Sequence, residues 1–123
     1  MTTYGARHTP TDIHADRQNG TLTVTFDNGR TFTFTAEYLR VNSPSAEVQG
    51  HSPDERKTVH GKRGVNILDV EAVGNYAVRI KFDDLHETGI YSWQTLYDLG
   101  ERQDEIWNNY LQELEDQGLS RDV

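Results

Sequence analysis

The stretch GTLTVTFDNGRTFTF, residues 20–34, alternates apolar and polar positions: Leu22, Val24, Phe26, Phe32 and Phe34 fall on one parity, and Thr21, Thr23, Thr25, Thr31 and Thr33 on the other. A period of two puts the apolar set on one face and predicts a β-hairpin. Register selects its turn. A two-residue Asn28-Gly29 loop would set Val24 opposite Thr33, apolar against polar. A three-residue Asp27-Asn28-Gly29 loop pairs Val24 with Phe32 and Leu22 with Phe34, with Gly29 in the left-handed position of a bulged type I turn.

The alternation stops after AEYLR, a stretch that still reads as strand-like, and residues 42–64 are rich in turn formers. That composition predicts a loop with single helical turns at most. Ser43-Pro44 and Ser52-Pro53-Asp54-Glu55 both place a capping serine before a proline at a first helical position. From residue 65 two strands are expected about a Gly74-Asn75 turn, the second with Tyr76, Val78, Ile80 and Phe82 on one face; the register of the first is open. After an Asp83-Asp84 turn, LHETGIYSW supplies a short strand and QTLYDL a helical turn ending near Gly100. In ERQDEIWNNYLQELEDQG, Ile106, Trp107, Tyr110, Leu111 and Leu114 form one helical stripe that ends at Gly118. Trp107 and Tyr110 are read as core. The expected fold is α+β: one domain over residues 11–117, an antiparallel sheet of hairpins with short helical turns and a C-terminal helix packed on one face. Residues 1–10 and 118–123 are expected to be flexible ends.

Length and charge narrow the function. A chain of 123 residues suits one domain. Twelve Lys+Arg against twenty Asp+Glu give a net charge of −8, which repels phosphate backbones and anionic lipid. Nucleic acid is therefore disfavoured as a partner, and the basic group Arg56, Lys57, Lys62 and Arg63 is read as solvated loop. No apolar run approaches the ~20 residues that span a bilayer, and MTTYGARHTP lacks an apolar signal core. A cytoplasmic, bacterial, soluble protein is expected.

Catalytic signals are weak. With no cysteine there is no thiolate nucleophile and no Cys-based metal site. Asp83-Asp84 reads as turn chemistry rather than an acid/base pair. Ser43 and Ser45 lack a G-x-S-x-G elbow, and nothing in the sequence shows a histidine and acid arranged to activate either. His8, His14, His51, His60 and His86 form no H-x-x-x-H pair, and His14-Ala15-Asp16, although it spells the start of an iron facial triad, is read as coincidence.

EYLRVNSPSAEV, the DNG hairpin, VGNYAV and the run from Asp84 to Trp93, DLHETGIYSW, together resemble the gamma-butyrobetaine hydroxylase-like N-terminal domain family, domain of unknown function 971, over about Thr11 to Leu114. In members fused to 2-oxoglutarate oxygenases the resemblance implies a structural zinc held by three loop cysteines and a histidine. Carried onto this chain, the cysteine positions fall on Ser43, Ser45 and Val48, and the histidine on His86. A hydroxyl is a poor zinc ligand and valine none, so no metal and no cofactor are expected.

The resemblance implies an adaptor: a non-catalytic protein-interaction module with an unknown protein partner, and with a homodimer open through an exposed sheet edge. Its candidate surface is Arg40, Asn42, Ser43, Ser45, Glu47, His51 and His86. Arg40 suits a partner carboxylate and, equally, an acid of its own fold. A second reading is a metal-handling accessory of iron–sulfur or oxygenase pathways, using His86 with His51 and nearby acids. A third is an enzyme with an unrecognised pocket.

Overall fold

The computed structural model describes residues 8–50 and 53–123. The threonine/apolar alternation produces β2 (Thr21–Phe26) and β3 (Thr31–Thr35), in which Leu22, Val24, Phe26, Phe32 and Phe34 are buried. Leu22 pairs with Phe34 and Val24 with Phe32, the register expected from the three-residue turn. Gly29 takes φ +86°, and the Phe26 N–H closes the turn on the Arg30 carbonyl at 2.8 Å. On the solvent face Thr23 bonds Thr33 and Thr25 bonds Thr31 across the strands, at 3.2 and 3.1 Å. β1 (Pro10–Asp16) pairs antiparallel with β2 and completes the first sheet, in the order β1-β2-β3.

The strand-like reading of AEYLR fails at Thr35. Its hydroxyl accepts from the Tyr38 N–H at 3.1 Å and caps α1 (Ala36–Val41). Ala36, Glu37, Tyr38, Leu39 and Val41 are all buried, so this short helix carries no solvent stripe that a periodic pattern would reveal. The next capped turn is α2 (Ala46–Gln49), and its cap is Ser45 rather than Ser43: the Ser45 hydroxyl accepts from the Glu47 N–H at 3.1 Å. A 3-10 turn follows at Pro53–Glu55, its expected Ser52 cap lying outside the described residues.

The second sheet, order β4-β5-β6, consists of β4 (Ile67–Val73), β5 (Ala77–Phe82) and β6 (Gly89–Ser92). Val70 pairs with Ile80, but a bulge between Ile67 and Asp69 shifts the parity, so Ile67 meets Phe82 and is buried while Leu68 is left exposed. Tyr76, expected on the face of Val78, sits instead in the turn and is exposed; Ala77 is the buried residue there.

The inner faces of both sheets share one core with Tyr38 and Leu39 of α1 and with Leu96 and Leu99 of α3 (Trp93–Glu101). Gly100 does not end α3. It lies within the helix, where an added Cβ would stand 2.4 Å from the Phe32 ring. The break falls at Arg102, and α4 (Gln103–Gln117) ends at Gly118, φ +68°. The α4 stripe meets α1 and the loop before β4: Tyr110 and Leu114 cluster with Val41, and Tyr110 donates to the Val59 carbonyl at 2.8 Å.

Residues 118–123, expected to be flexible, are tied down. The Ser120 and Arg121 carbonyls accept from Gly61 and Arg63 at 2.9 and 3.0 Å, and Arg121 makes a two-pronged pair with buried Glu37 at 2.7 and 2.8 Å. At the other end His8 stacks on Tyr97 and the Thr9 carbonyl accepts from Asp27 at 2.9 Å, so order begins before residue 11.

Candidate functional site

The segment from Arg40 to Val48 is brought by α1 and α2 against the turn that joins β5 to β6. Two connected clusters result. In the first, the Arg40 Nε donates to Asp84 Oδ2 at 2.8 Å, Lys62 Nζ lies 2.7 Å from the same oxygen, and the His86 N–H donates to Asp84 Oδ1 at 3.1 Å. Burial by itself would raise the Asp84 carboxyl, but Lys62, Arg40 and the His86 N–H hold it down at about 2. The Arg40 side chain is 11% exposed, and its Nη1 is buried without a hydrogen-bond partner among the described residues. Of its two expected roles, pairing with an acid of its own fold is therefore filled.

In the second cluster His86, 6% exposed, places Nε2 2.9 Å from the Ser43 hydroxyl and Nδ1 3.4 Å from Glu47 Oε2. The Ser43 oxygen also accepts the Ser45 N–H at 3.3 Å; the Ser45 hydroxyl lies 2.7 Å from that of Thr88, which donates to Glu47 Oε1 at 3.2 Å. Gln49 donates to the Ser43 carbonyl at 2.9 Å, and Asn42 turns back to the Tyr38 carbonyl at 2.9 Å. Val48 is buried and brings no donor atom. Below them the Tyr91 hydroxyl donates to the Leu39 carbonyl at 2.5 Å.

The serine, histidine and glutamate stand in the order a hydrolase uses, yet the Ser43 side chain is fully buried and its hydroxyl is held by the loop's own backbone. Burial first, and Arg40 second, push the His86 imidazole below its ordinary value against the opposing pull of Glu47 and Asp84. An imidazole that resists protonation when folded loses stability to the unfolded chain as pH falls below the unfolded pKa, near 6.5. Denaturant unfolding from pH 7.5 to 5 is therefore expected to show a decline in stability that His86→Asn flattens; parallel curves would show that His86 titrates freely.

The structure thus gathers Arg40, Ser43, Ser45, Glu47 and His86, turns Asn42 toward its own helix, and leaves His51 outside the described residues. It adds Asp84, Lys62 and Thr88. Asp84 and Thr88 flank the histidine in sequence. Lys62 stood in the basic group read as solvated loop, and no local signal set it apart, since its partner is 22 positions away. Arg56 and Arg63 likewise pair with Glu113 and Asp122, at 3.0 and 2.5 Å. His14 and His60 are exposed. Among the described residues no three His, Cys, Asp or Glu side chains gather as a metal site, and no helix is long and apolar enough to cross a membrane.

A family model described as "Gamma-butyrobetaine hydroxylase-like, N-terminal" matches residues 13–97. One solution NMR structure is 45% identical to the chain, covers 98% of it and 90% of its own length, and superimposes with a TM-score of 0.82. A second is 41% identical over 94% of this chain and 90% of that one, with a TM-score of 0.81. The crystal structure of a protein with unknown function of the DUF971 family from Acidithiobacillus ferrooxidans is 34% identical, covering 74% of this chain and 91% of that one, with a TM-score of 0.62. No curated protein matches the chain.

Proposed function

Since the chain belongs to the gamma-butyrobetaine hydroxylase-like N-terminal family, we propose that it acts as a non-catalytic protein-interaction module in the cytoplasm. The observation that carries this reading is the closure of the Ser43–His86–Glu47–Thr88–Ser45 network. Each polar group that could do chemistry is hydrogen-bonded to another, and the serine is out of solvent's reach. The donor set does not fit the zinc that the family resemblance implies. Two hydroxyls already engaged in hydrogen bonds and a buried valine offer no thiolate, leaving His86 as the one ordinary zinc ligand of the four positions.

A fluorophosphonate serine probe separates this reading from a hydrolase. No adduct on Ser43 is expected at neutral pH, whereas stoichiometric labelling that His86→Asn abolishes would make the site catalytic. Elemental analysis of untagged protein purified without chelator separates it from metal handling. Zinc and iron well below one equivalent are expected; near-equimolar metal, lost in His86→Ala, would favour the metal-handling alternative.

A further inference from the structure

The turn that carries Asp84 and His86 also carries Leu85 between them. Leu85 has φ +74°, the one non-glycine residue with positive φ among the described residues, and its side chain is 83% exposed. A single exposed leucine needs no explanation, nor does a turn with positive φ. Their coincidence does, because a left-handed turn position suits Gly or Asn and strains a residue with a Cβ. Within the fold that strain is met by the turn's backbone hydrogen bonds alone, since the side chain, 83% exposed, contributes no burial. The turn is also rigid. Leu85 N–H donates to the Phe82 carbonyl at 3.0 Å, Phe82 N–H donates to the His86 carbonyl at 2.9 Å, and Asp84 is clamped by Arg40 and Lys62.

We infer that Leu85 is the apolar anchor of a docking surface, preorganised by the Asp84 clamp, for a protein partner that offers an apolar socket bordered by lysine or arginine. The partner's charge follows from the surroundings. Asp83 and Glu87 flank the anchor in sequence and are exposed, as is Glu47 at 64%, which Thr88 ties to the same turn. The nearby cations are already engaged: Lys62 and Arg40 by Asp84, Arg79 by Glu71. What the turn presents is therefore a leucine within an acidic rim, and rigid presentation lowers the ordering cost of binding.

This inference rests on the interaction-module reading, and the test separates the two. Leu85→Gly suits the backbone, so its Tm is expected to stay level or rise, which keeps a loss of binding from being a loss of fold. Photo-cross-linking in cells uses p-benzoyl-L-phenylalanine at position 85, at position 47, and at the exposed α4 position 111 as control. The expected result is one adduct from position 85, absent from 111, whose joined peptide lies in an apolar socket with basic neighbours. Unlabelled wild-type protein should compete for it, and Leu85→Gly protein about tenfold less well, as for an anchor side chain. Equal competition by Leu85→Gly, or an adduct from 47 alone, overturns the anchor but keeps the module. No adduct from either position overturns both. An adduct with a second copy of this chain, through the groove between β1 and β4 lined by Ile13 and Val70, would replace the basic partner with self-association.

Discussion

Asp84→Ala is expected to lower the free energy of unfolding by about 3–5 kcal/mol, the cost of removing one partner from a mostly buried ion pair. The side chains of Asp84 and Arg40 are 18% and 11% exposed, and Lys62 reaches the same carboxylate at 2.7 Å. Without the carboxylate, Arg40 is left buried and uncompensated beside a second cation, and the His86 N–H loses its acceptor. Replacing the pair together, Arg40→Met with Asp84→Ala, should recover part of the loss, because an uncharged pair has no stranded charge. Urea unfolding reads both; a loss below about 1 kcal/mol for Asp84→Ala would place the pair with solvated surface bridges.

The same carboxylate sets an acid limit. Its folded pKa, about 2, lies below the ordinary 3.8, so its stabilisation is fully present above the unfolded value and lost as pH falls from about 4 toward 2. The difference corresponds to about 2 kcal/mol. In Asp84→Asn that part of the acid transition should be missing, which a urea series at pH 2, 3, 4 and 6 would register.

Gly100→Ala is expected to destabilise the fold by about 2 kcal/mol, against the usual effect of that exchange inside a helix, where alanine is favoured by about 1 kcal/mol. Here the added Cβ would lie 2.4–2.7 Å from three atoms of the Phe32 ring. That ring cannot swing aside, since it packs edge-on against Phe26 and Tyr97 at centroid distances of 5.9 and 5.5 Å. Overpacking of this kind costs roughly 1–3 kcal/mol or more and outweighs the propensity gain. Phe32→Leu should relieve the clash, so the double variant should lose less than the sum of the singles. If Gly100→Ala instead raises Tm, the helix gives way and the close approach carries no weight.

The β2–β3 hairpin was legible in full, turn and register included, because every determinant lies within fifteen residues and each strand buries one face. The α4 stripe and its Gly118 end were legible for the same reason, except that Leu111, placed on the stripe, is 38% exposed at its edge. α1 was not: with nearly every residue buried it has no polar side to reveal a period, and its Thr35 cap continues the strand alternation. The first strand of the second sheet stayed open because the bulge at Ile67–Asp69 breaks the parity on which register rests. Composition puts a helix stop near Gly100 and α3 does end beside it, at Glu101, but the need for glycine there is set by a phenylalanine 68 positions away.

The candidate site divides in the same way. That the loop at Ser43, Ser45 and Val48 has no cysteine, and that a histidine stands in the Asp84–Trp93 run, could be read residue by residue. What the sequence by itself determined is therefore the local grammar: alternation, caps, the chain's charge and the membership those motifs imply. The tertiary structure alone decided that Arg40 and Lys62 close on Asp84, that Ser43 meets His86, and that Leu85 stands exposed at positive φ. Those pairings join residues 22 to 44 positions apart, and the packing of α1 and α2 against the β5–β6 turn is what makes them neighbours.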